Sequence, residues 1–116
     1  MGIQIWEAKG FDSQKAVRYF QERKMPVQRI DLHRFGISRR ELESVRAQVG
    51  LEGLVDRDGK AFAESKIRYS KNAELIFEAL LESPKLLRAP IVRCGKLATV
   101  GYCPDVWAGW PKPASK

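Results

Sequence analysis

The sequence predicts an α/β fold in which a four-stranded mixed sheet is flanked by helices. The first third of the chain contains an apolar strand, an amphipathic helix and a second strand, a pattern typical of a parallel strand pair joined by a crossover helix. Towards the other end, two apolar segments flank Gly95 and Lys96, a two-residue loop typical of a tight antiparallel hairpin. Helical segments lie between these two units.

The first strand is predicted at residues 3–6, where apolar side chains alternate, and a glycine-containing turn at residues 9–11 follows it. The next segment has an apolar stripe at helical spacing and is expected to end near residues 23–24, since two basic residues suit a helix C-terminus. Asp12 or Ser13 is predicted to cap this helix, because short side-chain oxygens accept hydrogen bonds from unpaired first-turn amides.

The middle of the chain predicts a second strand and a second long helix. Residues 27–32 follow a proline and alternate in polarity, which indicates the strand. Residues 38–41 form a capping box, a serine followed three residues later by a glutamate, which begins the helix. This helix is expected to run to about Val49, where Gly50 and Gly53 break it.

The last third predicts a helix, a hairpin and a short final helix. The first helix is expected to begin at residues 72–74 and to end at the Ser-Pro pair 83–84. The hairpin strands are predicted at residues 90–94 and 97–101, and the final short helix begins near residues 105–107.

The length of 116 residues fits one compact domain, predicted over residues 1–110, with a polar, proline-containing tail at 111–116 that is expected to be mobile. Apolar residues make up 44% of the chain and charged residues 30%, a balance that excludes intrinsic disorder. No apolar run approaches the roughly 20 residues that span a bilayer, and the N-terminus lacks a signal-peptide pattern. We therefore expect a cytoplasmic protein without membrane association.

The chain is basic, with 21 lysines and arginines against 14 acidic residues and a formal charge of +7. The basic residues are scattered among acids, and the densest clusters, at residues 39–40 and 85–93, are short for a nucleic-acid face. This distribution predicts a solvated, mildly basic surface, and direct nucleic-acid binding is not expected.

The cysteines and the single histidine do not form a site that is recognisable from spacing. In the predicted hairpin Cys94 lies opposite Leu97 and Cys103 lies across from Arg88, which puts the two sulfurs roughly 20 Å apart. A disulfide needs Cα atoms within about 7 Å, so no bridge is expected. Cys103 is interpreted as a small buried hydrophobe. His33 is predicted to be a surface loop residue, and neither metal binding nor acid-base work is expected of it.

Four segments resemble, in order and over nearly the whole chain, those of a known family. They are residues 3–23, 53–60, 83–92 and 100–102, and the Leu-Leu-Arg-Ala-Pro-Ile run in the third is the most specific. The chain resembles the ArsC-type arsenate reductases and the related Spx-type regulators. This resemblance implies a thioredoxin-like, glutaredoxin-like domain with a helical insertion.

The resemblance also implies that the family's chemistry is missing. In that family a nucleophilic cysteine lies at the mouth of the first helix, six residues before the alanine of a Lys-Ala pair. Counting back from Ala16 gives Gly10, and the position of a second redox cysteine is Ser13. The loop formed by Gly10, Phe11, Asp12 and Ser13 is therefore interpreted as a vestigial active-site region without a catalytic residue.

The arginines that hold an oxyanion in the family are displaced here. The resemblance implies a cis peptide bond before Pro90, and the residue before this proline, commonly arginine, is Ala89. Arg88 is expected to point elsewhere because it is one place earlier on the strand. A second family arginine corresponds to Asp58, with Arg57 again displaced by one position.

Two functional hypotheses follow. The first is a non-catalytic binding or regulatory module without a cofactor or metal, monomeric, with a protein partner such as the transcription machinery that Spx-like relatives contact. The second is an arsenate reductase-like or glutathione-dependent thiol oxidoreductase that uses Cys103 in place of the missing nucleophile.

At the mouth of the first helix, Asp12 is expected to occupy the free amides as a cap and to disfavour a bound anion.

Overall fold

The computed structural model describes residues 3–110, and these contain a four-stranded mixed sheet. The strands are β1 (Ile3–Glu7), β2 (Val27–Asp31), β3 (Ile91–Cys94) and β4 (Leu97–Val100), in the order β2-β1-β3-β4. β1 is parallel to β2 and antiparallel to β3, and β3 pairs antiparallel with β4. The predicted sheet with an internal first strand is confirmed, as is the hairpin register. The tail predicted at 111–116 lies outside the described residues.

The helices predicted from apolar spacing and caps are present in the structure. Over residues 3–110 the helices are α1 (Phe11–Glu22), α2 (Leu32–Phe35), α3 (Arg39–Leu54), α4 (Lys60–Ala63), α5 (Ala73–Glu82) and α6 (Pro104–Trp107). Two 3₁₀ turns lie at Lys66–Tyr69 and Pro84–Leu86. α2 and α4 have four residues each, too few to give a periodic signal in the sequence. No helix within residues 3–110 has the length and apolar content to cross a membrane.

The core lies on both faces of the sheet, because successive strand side chains point to opposite sides. On one face, Ile5 of β1 packs in a buried cluster with Phe20 of α1 and Trp107 of α6. On the other face, Trp6 belongs to a cluster that contains Leu42 of α3 and further residues of α5. The sheet therefore holds α1 and α6 on one side and α3 and α5 on the other.

The cap predicted for α1 is wrong. The helix begins at Phe11, its N-cap residue is Gly10, and no side chain hydrogen-bonds the cap amides. Asp12 and Ser13 both lie inside the first turn. The Ser13 hydroxyl is used elsewhere, since Ser13 Oγ accepts a hydrogen bond from the Ala8 N–H at 3.1 Å.

The predicted capping box at the start of α3 is confirmed, with Ser38 and Glu41 each accepting from the other's backbone. The helix is interrupted at Gly50, which has φ 80° and ψ 162°. The break predicted at Gly53 is wrong, because this residue lies in the helical turn after the interruption. A Cβ at Gly53 would come within 3.3 Å of the Val49 side chain, so the glycine permits close packing at this point.

Candidate functional site

The loop between β1 and α1 is shaped by a glycine and a buried serine. Gly10 has φ 142° and ψ 165°, a combination that is essentially restricted to glycine. Its carbonyl accepts a hydrogen bond from the Gln14 N–H at 3.4 Å, the first bond into the helix. Ser13 is buried, and its bond to the Ala8 amide ties the first turn back to the end of the strand. The helix mouth is therefore a fixed, narrow turn.

The segment before β3 contains the cis peptide bond that the family resemblance implied, between Ala89 and Pro90. Its position is fixed on both sides. The Arg88 N–H donates to the Leu54 carbonyl at 2.8 Å, and the Pro90 carbonyl accepts from the Gly101 N–H at 2.8 Å. This arrangement anchors residues 88–90 between the end of α3 and the end of β4.

A cavity of about 460 Å³ brings Asp12 together with this segment. Its lining residues include four acids and two arginines: Asp12, Glu52, Asp56, Asp58, Arg57 and Arg88. Ala89 also lines it, next to Arg88. Both residues precede β3, which begins only at Ile91, after the cis proline.

The cavity's second cation, Arg57, is already paired. Arg57 donates two hydrogen bonds to the Glu52 carboxylate, at 2.8 and 2.7 Å, and its guanidinium lies 5.2 Å from the centroid of the Phe62 ring. No spacing rule predicts this pair, because a separation of five residues across a turn matches neither helix nor strand periodicity. Arg88, the other arginine of the cavity, forms no ion pair with any of residues 3–110.

A second cavity, of about 710 Å³, lies on the other side of the helix mouth. Gly10 and Ser13 line this cavity together with the ion pair in which Arg29 donates to Glu7 at 2.6 and 3.1 Å. His33 also lines it, and this residue is exposed as predicted, although it belongs to α2 rather than to a loop. Gly10 and Ser13 thus line one cavity, and Asp12, Arg88 and Ala89 line the other. The residues interpreted as vestigial do not converge on one cavity.

Cys103 is half-buried just before α6, and its thiol donates to the Val100 carbonyl at 3.4 Å. Burial raises the pKa of the Cys103 thiol above its usual value, and the charge of Asp12 adds to this effect. A hydrogen bond with Thr99 and the positive charge of Arg88 lower the pKa without cancelling the burial effect. The thiol is therefore within electrostatic reach of the Arg88 segment, and burial makes its thiolate less favourable than that of an exposed cysteine.

The remaining candidates for redox or metal chemistry are accounted for. Cys94 is buried in the core, and both cysteines are free, which confirms that they form no bridge with each other. Among residues 3–110, no three or more His, Cys, Asp or Glu side chains are placed to hold a metal ion. Phe11, by contrast, is 79% exposed at the start of α1, an unusual position for a large aromatic side chain.

The sheet order, the cis proline before β3 and the short turn into α1 define a thioredoxin-like α/β protein. Residues 9–109 match the model of the ArsC family, and the chain belongs to this family. No curated protein sequence matches the chain.

Solved structures with the same fold include three from bacteria. The putative arsenate reductase from Yersinia pestis is 16% identical, with a TM-score of 0.82 over 93% of this chain and 99% of that chain. The arsenate reductase from Vibrio cholerae is 24% identical, with a TM-score of 0.80 over 91% and 94%. An arsenate reductase (ArsC) related protein from Brucella melitensis is 21% identical, with a TM-score of 0.67 over 95% and 94%. At these identities the similarity is one of fold.

Proposed function

We propose that the chain is a non-catalytic member of the ArsC family that acts as a protein-binding or regulatory module. The observation that carries this proposal is the absence of an activated nucleophile among the described residues around the helix mouth. The family resemblance assigns the nucleophile position to Gly10, which has no side chain. The nearby thiol, Cys103, has a pKa raised by burial.

Cys103 is a poor substitute for the missing nucleophile. The thiolate is the reactive form of cysteine, and burial of this side chain disfavours its charge. The Cys103 thiol also donates to the Val100 carbonyl, an interaction that the deprotonated form would lose. Ser13, at the second redox position, cannot form a disulfide, and its oxygen already accepts from the Ala8 amide.

The charge of the cavity beside Asp12 argues against an oxyanion substrate and against glutathione. Four acidic side chains face two arginines there, and Arg57 is paired with Glu52. Arsenate is an anion, and glutathione carries two carboxylates against one ammonium group, so each would be repelled by this lining. The proposal therefore includes no glutathione cofactor.

The second candidate is an arsenate reductase-like or glutathione-dependent thiol oxidoreductase that acts through Cys103. Membership of the ArsC family favours it, and so does Arg88, whose positive charge lowers the Cys103 pKa. This candidate requires the charge of Arg88 to outweigh the burial of the thiol when a partner binds.

The rate of Cys103 alkylation decides between the two candidates. The measurement is site-resolved iodoacetamide labelling as a function of pH, on the Cys94→Ser variant, with free cysteine as the reference. We expect slower labelling than for free cysteine at neutral pH and a profile displaced to higher pH, because burial raises the pKa of this thiol in the folded protein. Unfolding in urea should restore the ordinary profile. Labelling faster than free cysteine in the folded protein would favour the oxidoreductase.

The binding module is further proposed to be a cytoplasmic monomer that contacts a protein partner and not a membrane or nucleic acid. The resemblance to Spx-type regulators favours the transcription machinery as that partner. Sedimentation of the purified protein tests the monomer, and a pull-down from native cell extract followed by reconstitution with the purified partner tests the interaction.

A further inference from the structure

A basic groove runs between the exposed face of α1 and the segment that leads into α6. It has a volume of about 340 Å³, and its rim carries the cations Lys15, Arg18 and Arg23 against the acid Glu22. None of these three cations forms an ion pair with the residues that the structure describes. Lys15 and Arg18 are exposed, so their charges are available to a ligand.

The floor of the groove is aromatic and fixed in place. The Lys15 ammonium lies 5.6 Å from the centroid of the Tyr102 ring, and the Arg23 guanidinium lies 3.7 Å from that of Tyr19. Tyr102 packs edge-on against Trp107 at 5.7 Å. Trp107 is itself buried and donates to the Thr99 hydroxyl at 2.7 Å. The two tyrosines are thus held before any ligand arrives, which reduces the entropy lost on binding.

An exposed aromatic side chain lies on α1 close to the groove in sequence. Phe11 lies one helical turn before Lys15 on the same face of the helix, and its side chain is 79% exposed. Tyr102 is 41% exposed beside the same lysine. Cations alternate with aromatic rings along this surface, which is an arrangement that suits a ligand with both carboxylates and an apolar side chain.

We propose that this groove binds an acidic peptide segment of a partner protein, with an aromatic or aliphatic side chain set among its carboxylates. This inference deepens the proposed binding function and rests on it. Carboxylates of the segment would pair with Lys15 and Arg18, and the apolar side chain would pack on Tyr102. The chain's net charge of +7 favours the approach of such a segment.

Other occupants fit the groove less well. A nucleic-acid backbone needs an extended row of cations, whereas this groove has three cations with the acid Glu22 among them. The sequence beyond Trp110 contains two lysines and no acid, so its charge does not complement the groove. A second copy of the chain could bring its acidic cavity to this face, and the experiment below includes that outcome.

The test is fluorescence anisotropy of a short fluorescein-labelled peptide, rich in glutamate with one central phenylalanine, titrated with the full chain at low and physiological salt. We expect binding that weakens with salt and that falls about fivefold in the variant Lys15→Gln/Arg18→Gln, as the loss of two partly screened ion pairs implies. The matched control is Arg40→Gln/Lys96→Gln, which removes the same charge from exposed residues outside the groove and should change affinity less than twofold. Circular dichroism checks that each variant is folded.

Several results would overturn the groove proposal. These are no binding by the folded wild-type chain, equal weakening in both double variants, or equal affinity for the same peptide with glutamine in place of glutamate. Tighter binding of a single-stranded oligonucleotide that depends on Lys15 and Arg18 would assign the groove to nucleic acid. Self-association that the Lys15→Gln/Arg18→Gln variant abolishes would assign it to a second copy. None of these results alters the alkylation of Cys103, so failure of the groove and failure of the non-catalytic function remain distinguishable.

Discussion

Replacing Gly10 tests whether the turn into α1 depends on glycine. Gly10 has φ 142° and ψ 165°, a region that residues with a Cβ avoid. A Cβ built at this position meets no atom within 4 Å, so Gly10→Ala changes backbone strain without creating a steric clash. We expect the variant to lose about 1–3 kcal/mol of native-state stability through the backbone alone.

The matched control is Gly109→Ala. This glycine does not have the left-handed backbone, and a Cβ there would lie at an ordinary 3.6 Å from the Val106 carbonyl oxygen. Both substitutions reduce the conformational freedom of the unfolded chain equally, so the difference between the two variants isolates the strain at Gly10.

The assay is urea unfolding followed by tryptophan fluorescence, since Trp6 and Trp107 are buried in the two clusters of the core. We expect the midpoint of Gly10→Ala to fall clearly below that of Gly109→Ala, with similar slopes for both. Equal midpoints would refute the reasoning, because the turn would then accept a side chain without cost.

Three further predictions address the helix mouth, a cap and a buried hydrogen bond. In Gly10→Cys the new thiol should be alkylated faster at neutral pH than Cys94, because the first amides of α1, which no side chain caps, stabilise the thiolate. Arsenate reduction should stay absent in this variant. An unshifted titration of the thiol at residue 10 in site-resolved labelling would contradict the prediction. Ser38→Ala should lower the free energy of unfolding by about 1 kcal/mol in urea melts, through loss of the capping box, and no change would show that the cap is dispensable. Thr99→Val should cost about 1–3 kcal/mol, since the Trp107 indole N–H would be buried without an acceptor, and a neutral effect in thermal melts would contradict the contact.

Much of the fold could be predicted because local patterns and long-range packing agree. The alternating strand before α1, the capping box at Ser38 and the two-residue loop after Cys94 each specify a local geometry, and each is present. The break at Gly53 was wrong because composition does not reveal whether a glycine breaks a helix or allows Val49 to pack closely against it.

The candidate site was predicted less well, because it depends on contacts between distant segments. The cis bond before Pro90 was expected from the family resemblance, whereas composition alone would not give it. The cap expected from Asp12 or Ser13 failed because the Ser13 hydroxyl binds the preceding Ala8 amide, a contact that no spacing rule contains. The ion pair of Arg57 with Glu52 joins residues across a turn and was likewise missed.

Steady-state turnover tests the absence of thiol chemistry most directly. The assay follows reduction of arsenate, and separately of a disulfide substrate, with glutathione and glutaredoxin, for the wild-type chain, Cys103→Ser and Cys94→Ser. We expect all three proteins to give the rate measured without protein, because Gly10 supplies no nucleophile and burial raises the pKa of the Cys103 thiol. Turnover by the wild-type chain that Cys103→Ser abolishes and Cys94→Ser leaves intact would contradict the account.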